Sequence, residues 1–122
     1  LVVMDKKAPM VDQSTLLKDA LIEITEKKLG VTLVLSNKKV VGIFTDGDLR
    51  RCLNNQVDIN NTPIKDVMTV KFKSIEGNAL AIDAAEIMEK NKIFSLVVNS
   101  LTNEEDNVGI ITMHQLLEAG II

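Results

Sequence analysis

The sequence holds one cysteine, one histidine and three phenylalanines, with no tryptophan or tyrosine. Cys52 alone cannot close an internal disulfide, so a cross-linked scaffold is excluded and a reducing, cytoplasmic setting is expected. His114 alone excludes a multi-histidine metal site, and any triad that needs a histidine elsewhere in the chain. So few aromatics leave no platform for stacking single-stranded bases. Fourteen basic against seventeen acidic residues give a net charge of −3. That sign is opposite to the footprint of a nucleic-acid or anionic-membrane binder, so neither partner is expected. The longest apolar runs, such as residues 31–35, are strand-sized, far below the roughly 20 residues of a membrane helix. No charged start followed by an apolar stretch marks a leader peptide. The chain opens on Leu1 rather than methionine, so a longer parent protein is expected.

What is present is an ordinary globular composition, 46% hydrophobic and 25% charged, well away from the regime of disorder. Units of about 60 residues are marginal alone, so two half-size units would have to share a core. In residues 14–28, Leu17, Ala20, Leu21 and Ile24 recur at the spacing of one buried helical face. Ser14 is the expected N-cap, Lys27 and Lys28 suit the negative end of the dipole, and Gly30 suits a left-handed C-terminal cap. Two apolar runs, 31–35 and 40–44, flank Ser36-Asn37-Lys38-Lys39 and predict a β-hairpin. After Thr45, Leu49, Cys52 and Leu53 predict a helix that ends at Asn54-Asn55-Gln56.

The same order then recurs. Asn78 is the expected cap of a helix carrying Ala81, Ala84, Ala85 and Met88 and ending near Asn91. Residues 94–98 and 108–112 predict a second hairpin around the acidic segment 101–107, followed by a short helix with Leu116 and Leu117. Gly42-Ile43-Phe44-Thr45 matches Gly109-Ile110-Ile111-Thr112 at an offset of 67, and Leu33-Val34-Leu35 matches Leu96-Val97-Val98 at 63. The expected loop difference is therefore four residues. Thr62 and Pro63 read as the N-cap and first residue of a turn through Met68, and residues 70–75 as a strand whose counterpart is Met10-Val11. The chain divides on this reading into repeats 1–61 and 62–122.

In both copies the second hairpin strand delivers a glycine, two apolar residues and then a threonine where sheet turns into helix. Such a helix start presents unpaired N–H groups and a positive dipole end. In Thr45-Asp46-Gly47-Asp48-Leu49-Arg50-Arg51, a hydroxyl and carboxylates can bond sugar hydroxyls while arginine pairs an anion. A structural reading stands beside this one. Thr45 with Asp48, and Thr112 with Gln115, both have capping-box spacing. Asp48 is a carbon shorter than the usual partner, so the first copy reads less as pure capping.

These residues resemble a known family. Tandem units with a G-x-x-T-x-x-D signature, and Asp66-Val67-Met68-Thr69 opening the second, resemble CBS domains, the sensor modules named after cystathionine β-synthase. The resemblance implies an α+β fold, a tandem CBS pair of two β-α-β-β-α repeats packed sheet to sheet. It implies that Thr45 and Asp48 hold the ribose of a nucleotide, with Asp46, Arg50 and Arg51 nearby. Thr112 and His114 would contribute in the second copy, where Gln115 replaces the family's Asp and puts a second site in doubt. Gly42 to Arg51, and Met113-His114-Gln115-Leu116-Leu117-Glu118-Ala119-Gly120, further resemble the regulatory half of arabinose 5-phosphate isomerases. That likeness implies an upstream sugar-isomerase domain in cis and a nucleotide or nucleotide-sugar effector such as CMP-Kdo, with AMP or ATP as runner-up. It also implies self-association through the helices and a segment that is not itself catalytic. A purely structural oligomerisation module without ligand remains a rival, and catalysis by this segment is the weakest reading.

The remaining residues carry less. His114 reads as a solvent-facing residue of a first helical turn, with a pocket-edge role as the alternative. Cys52 and the five methionines read as packing groups. Glu104, Glu105 and Asp106 lack the alternating donors and glycine turn of a calcium loop and read as a solvated hairpin tip. Val2 and Val3 fit either a strand or a linker. No cofactor or metal is expected.

Overall fold

The computed structural model describes residues 9–27, 30–99 and 109–121, with only the backbone described at 25–27. The first unit contains β1 (Met10–Asp12), α1 (Leu17–Lys27), β2 (Val31–Ser36), β3 (Lys39–Thr45), α2 (Asp46–Asn54) and a 3₁₀ turn at Ile64–Asp66. The second contains β4 (Ser74–Glu76), α3 (Ala81–Asn91), β5 (Ser95–Asn99), β6 (Gly109–Thr112) and α4 (Met113–Glu118). Each unit has one three-stranded sheet, ordered β1-β2-β3 or β4-β5-β6. Its first pair is parallel and its second antiparallel. A parallel pair needs a crossover, and α1 and α3 supply it. The twice-repeated α+β order expected from the sequence is what forms.

The amphipathic helices bury the residues their spacing selects. Leu17 and Ala20 are fully buried and pack with Ile24, Val34, Phe44, Cys52 and Ile64 in one core. Ala84, Ala85 and Met88 pack with Ile75, Leu96, Val98, Ile111 and Leu116 in the other. Helix starts differ from expectation. Ser14 is not the cap of α1: its N–H and hydroxyl both bond to Asp12 Oδ2 in a turn. The carbonyl of Leu16 accepts from Asp19 and Ala20, which makes Leu16 the capping position. Asn78 is likewise displaced by Leu80, which caps α3 with no side-chain bond. A polar side chain near a helix start is not needed where backbone carbonyls serve the first turn, as Thr62 and Ile59 do for Leu17 N–H and Lys18 N–H. The ends expected for α2 and α3 hold. α2 stops at Asn54, and Lys92 closes α3 in a left-handed conformation at φ 54°.

The first hairpin turns on Asn37 and Lys38, both at positive φ (51° and 67°), the geometry of a tight two-residue turn. Register corrects the repeat alignment. Val34 pairs with Gly42 and Val98 with Gly109. The equivalent of Val34 is therefore Val98, an offset of 64 rather than 63, and the second hairpin is longer by three residues rather than four. Matching Leu33 to Leu96 by letter slipped one residue, which in a strand exchanges the two faces of the sheet.

The segment after α2 also departs from the sequence reading. Pro63 caps the 3₁₀ turn rather than opening it, and of the expected strand 70–75 only Ser74 and Ile75 are strand, which runs on to Glu76. Residues 62–72, expected to open the second repeat, bond to the first unit. Ile64 N–H donates to Thr15 O at 2.8 Å, Lys65 N–H to Gln13 O at 3.1 Å, and Ile43 and Thr69 exchange backbone bonds of 2.9 and 2.8 Å. The compact units accordingly divide between Phe72 and Lys73. Val2, Val3, Lys28, Val108 and the acidic segment 101–107 lie outside the described residues.

Candidate functional site

β3 ends at Thr45 in extended conformation (φ −115°, ψ 169°), and α2 begins at the next residue. Thr45 Oγ1 accepts from Asp48 N–H at 3.2 Å, and Asp48 Oδ2 accepts from Thr45 N–H at 2.9 Å. This is a complete capping box. The shorter side chain of Asp48 closes it fully, contrary to the expectation that the first copy is less a cap than the second. Thr112 and Gln115 form the same box in the other unit, with bonds of 2.8 and 3.2 Å.

Asp48 does more than cap. Its side chain is 2% exposed, and a buried carboxylate is costly unless its oxygens are bonded or paired. Thr45 Oγ1 donates to Oδ2 at 3.1 Å, and Arg51, one turn along α2, pairs with Oδ1. The Thr69 hydroxyl reaches both oxygens, at 2.9 and 3.1 Å. Thr69 was not singled out as a site residue from sequence, although it ends the Asp66-Val67-Met68-Thr69 stretch; what the sequence did not show is that this stretch folds back on the first unit.

Gly42, the signature glycine, explains how it folds back. A Cβ added there would fall 2.6 Å from Met68 Sδ and 2.9 Å from the Thr69 carbonyl oxygen. The missing side chain lets the segment lie against β3 and form the Ile43–Thr69 bridge.

Of the residues expected at the site, Thr45, Asp48 and Arg51 are brought together. Asp46 is exposed at the first position of α2 and donates its N–H to Gly30 O at 3.1 Å. Arg50 is exposed on the same helix. Thr112 and His114 belong to the other unit. Thr112 is buried in its capping box, whereas His114 is 80% exposed and paired with Glu118. A cavity of about 190 Å³ beside the first box is lined by Asp48, Arg51, Cys52, Asn55, Val57 and Val67. Burial pushes the Cys52 thiol pKa up, the Asp48 charge adds to this, and Arg51 opposes it. Among the described residues no cluster of His, Cys, Asp and Glu is placed to hold a metal ion. No described helix is long and apolar enough to cross a membrane.

The chain is 46% identical over 115 residues to the arabinose 5-phosphate isomerase KdsD of Pseudomonas aeruginosa, and 38% identical to that of Escherichia coli K12. Each match covers 93% of this chain and about a third of the relative (35% and 34%). The fold is similar to that of the CBS domain protein PAE2072 from Pyrobaculum aerophilum, solved in complex with AMP. That likeness has a TM-score of 0.83 at 16% identity, covering 99% of this chain and 97% of the other. It is also similar to the CBS domain pair of protein MJ0100, solved with 5′-methylthioadenosine and S-adenosyl-L-methionine. Here the TM-score is 0.82 at 18% identity, with 98% and 96% covered. The CBS domain model matches twice, at residues 2–55 and 64–121, and the chain therefore belongs to the CBS domain family as a tandem pair.

Proposed function

We propose that this chain is the regulatory CBS pair of an arabinose 5-phosphate isomerase, sensing a nucleotide or nucleotide-sugar. The observation that carries the reading is 46% identity to a KdsD across 93% of the chain. Catalysis then belongs to a sugar-isomerase domain elsewhere in a cytoplasmic parent protein, and this pair supplies control. Exposed apolar residues on the helices, such as Ile22 and Leu53, each 59% exposed, suit self-association.

The ligand class follows from the donors and acceptors around α2. Thr45 and Asp48 face ribose hydroxyls, and Arg51, while one of its nitrogens stays on Asp48 Oδ1, offers its remaining guanidinium donors to a phosphate or carboxylate. Asp46 and Arg50 flank this position, and in the second copy Thr112 stands where Thr45 does, with His114 beside it in the first turn of α4. CMP-Kdo, an activated sugar acid, combines ribose, phosphate and carboxylate and is the first choice. AMP and ATP are the alternatives, supported by two similar folds solved with adenosine compounds. A thermal-shift panel of CMP-Kdo, CMP, AMP, ATP and sugar phosphates, followed by calorimetry, tests this. Selective stabilisation that Asp48→Ala abolishes is expected; unchanged affinity in that variant sinks the site.

One observation favours a second reading, a structural oligomerisation module. Both Thr45–Asp48 and Thr112–Gln115 are closed capping boxes, so these residues have work to do without a ligand. No shift with any compound, together with a concentration-dependent dimer in solution, would favour it.

A further inference from the structure

We propose that Thr69 is a positioning residue of the Asp48 site and the donor that a ligand's hydroxyl pair replaces. The inference rests on the nucleotide reading above and adds a residue to it. A carboxylate offers about four acceptor positions. Those of Asp48 are taken by Thr45 N–H, Thr45 Oγ1, Arg51 and Thr69 Oγ1. A ribose diol must displace one of them.

Geometry selects Thr69. The Thr45 N–H bond is half of the capping box, and the Thr45 hydroxyl that donates to Oδ2 also accepts from Asp48 N–H in the other half, so releasing either loosens the start of α2. Arg51 addresses only Oδ1. The Thr69 hydroxyl stands across both oxygens, at 2.9 and 3.1 Å, where two vicinal hydroxyls would each place a donor. Its backbone stays held by the exchanged bonds with Ile43. Rotation about χ1 is therefore enough to free the carboxylate, and the segment need not move. Asp48 lies in the first family match, 2–55, and Thr69 in the second, 64–121. The site is thus completed by a residue from the other repeat of the sequence.

The sign of the effect follows from linkage. Removing the Thr69 hydroxyl deletes a bond of the free protein that the bound protein does not keep. The free state loses stability and diol ligands gain affinity. Thr69→Val keeps the shape and removes the donor; Thr69→Ser keeps the donor. Calorimetry on the whole chain compares AMP and CMP with their 2′,3′-dideoxy forms. Thr69→Val is expected to bind AMP or CMP about tenfold tighter, the loss of one charge-assisted bond. Dideoxynucleotide affinity is expected to stay equal across the variants, and Thr69→Ser to match wild type throughout.

Diol-selective binding by wild type that Thr69→Val leaves unchanged or weakens overturns the role of Thr69, with the nucleotide reading intact. No binding of any nucleotide by wild type or Thr69→Val overturns both. A measurement on wild type alone stands if Thr69→Val does not fold. The Thr69 methyl resonance should move to a new rotamer position with AMP or CMP and not with the dideoxy forms. An unmoved resonance under saturating diol nucleotide overturns the proposal.

Discussion

Gly42 lies so close to Thr69 that a Cβ added to it would stand 2.9 Å from the Thr69 carbonyl oxygen. Met68 Sδ, at 2.6 Å from the same point, belongs to a flexible side chain and can turn aside. The carbonyl is backbone and bonded to Ile43 N–H, so it cannot yield without breaking that bond. Gly42→Ala is expected to cost about 1–3 kcal/mol, the range for forced overpacking. Urea denaturation measures it, and an unshifted midpoint would show that the segment tolerates displacement from β3.

The two capping boxes give an internal comparison. Gln115 serves its own helix start, through Thr112. Asp48 serves its helix start and also accepts from Arg51 and Thr69. Gln115→Ala is expected to cost about 1 kcal/mol, a lost cap. Asp48→Ala is expected to cost about 2–3 kcal/mol, because a charge-assisted bond to Thr69 goes with the cap. Equal losses in urea melts would mean that the extra donors contribute nothing to folding.

How far the sequence disclosed this can be argued from these same residues. Thr45 and Asp48 were visible because capping and sugar binding ask for the same residue types at the same spacing. For that reason the pattern could not separate the two. Arg51 was visible as a charge one turn along the helix. Thr69 was not, because its partner lies 21 positions away and nothing local records that contact. The role of Gly42 was hidden for the same reason. The polar caps assigned to Ser14 and Asn78 failed because non-local carbonyls or plain backbone geometry did the work at Leu16 and Leu80. The one-residue slip between Leu33 and Leu96 arose because Leu-Val-Leu and Leu-Val-Val resemble each other, and only strand register fixes which face each side chain occupies.

Cys52 offers a test of the core beside the site. It is 4% exposed, packs in the first core, and its thiol pKa is raised, first by burial and then by the Asp48 charge. Both effects disfavour the reactive thiolate. At about pH 8, close to the unperturbed thiol range, the folded protein should react with a disulfide reagent more slowly than the unfolded chain. Asp48→Ala removes the charge and should speed the folded reaction. A folded-state rate equal to that in denaturant would show that this core opens freely.

Acid should loosen the first turn of α1 through Asp58. Its carboxylate accepts from Asn61 Nδ2 at 2.8 Å and Asn60 N–H at 3.1 Å. These bonds, the Asn61 bond foremost, hold its pKa below the ordinary 3.8. They shape the loop whose Ile59 and Thr62 carbonyls accept from Lys18 and Leu17. A pKa lowered by folding stabilises the folded state above the unfolded value, and that stabilisation is lost as pH falls through the folded one. Asp58→Ala should therefore be less stable than wild type at about pH 6, and by a smaller margin at about pH 2, below the ordinary carboxylate pKa. Asp12, lowered in the same direction by its bonds from Ser14, remains in both proteins and cancels in the comparison. Urea midpoints at the two pH values decide the matter, and a difference that persists undiminished in acid would mean that the loop is held by packing rather than by the Asp58 charge.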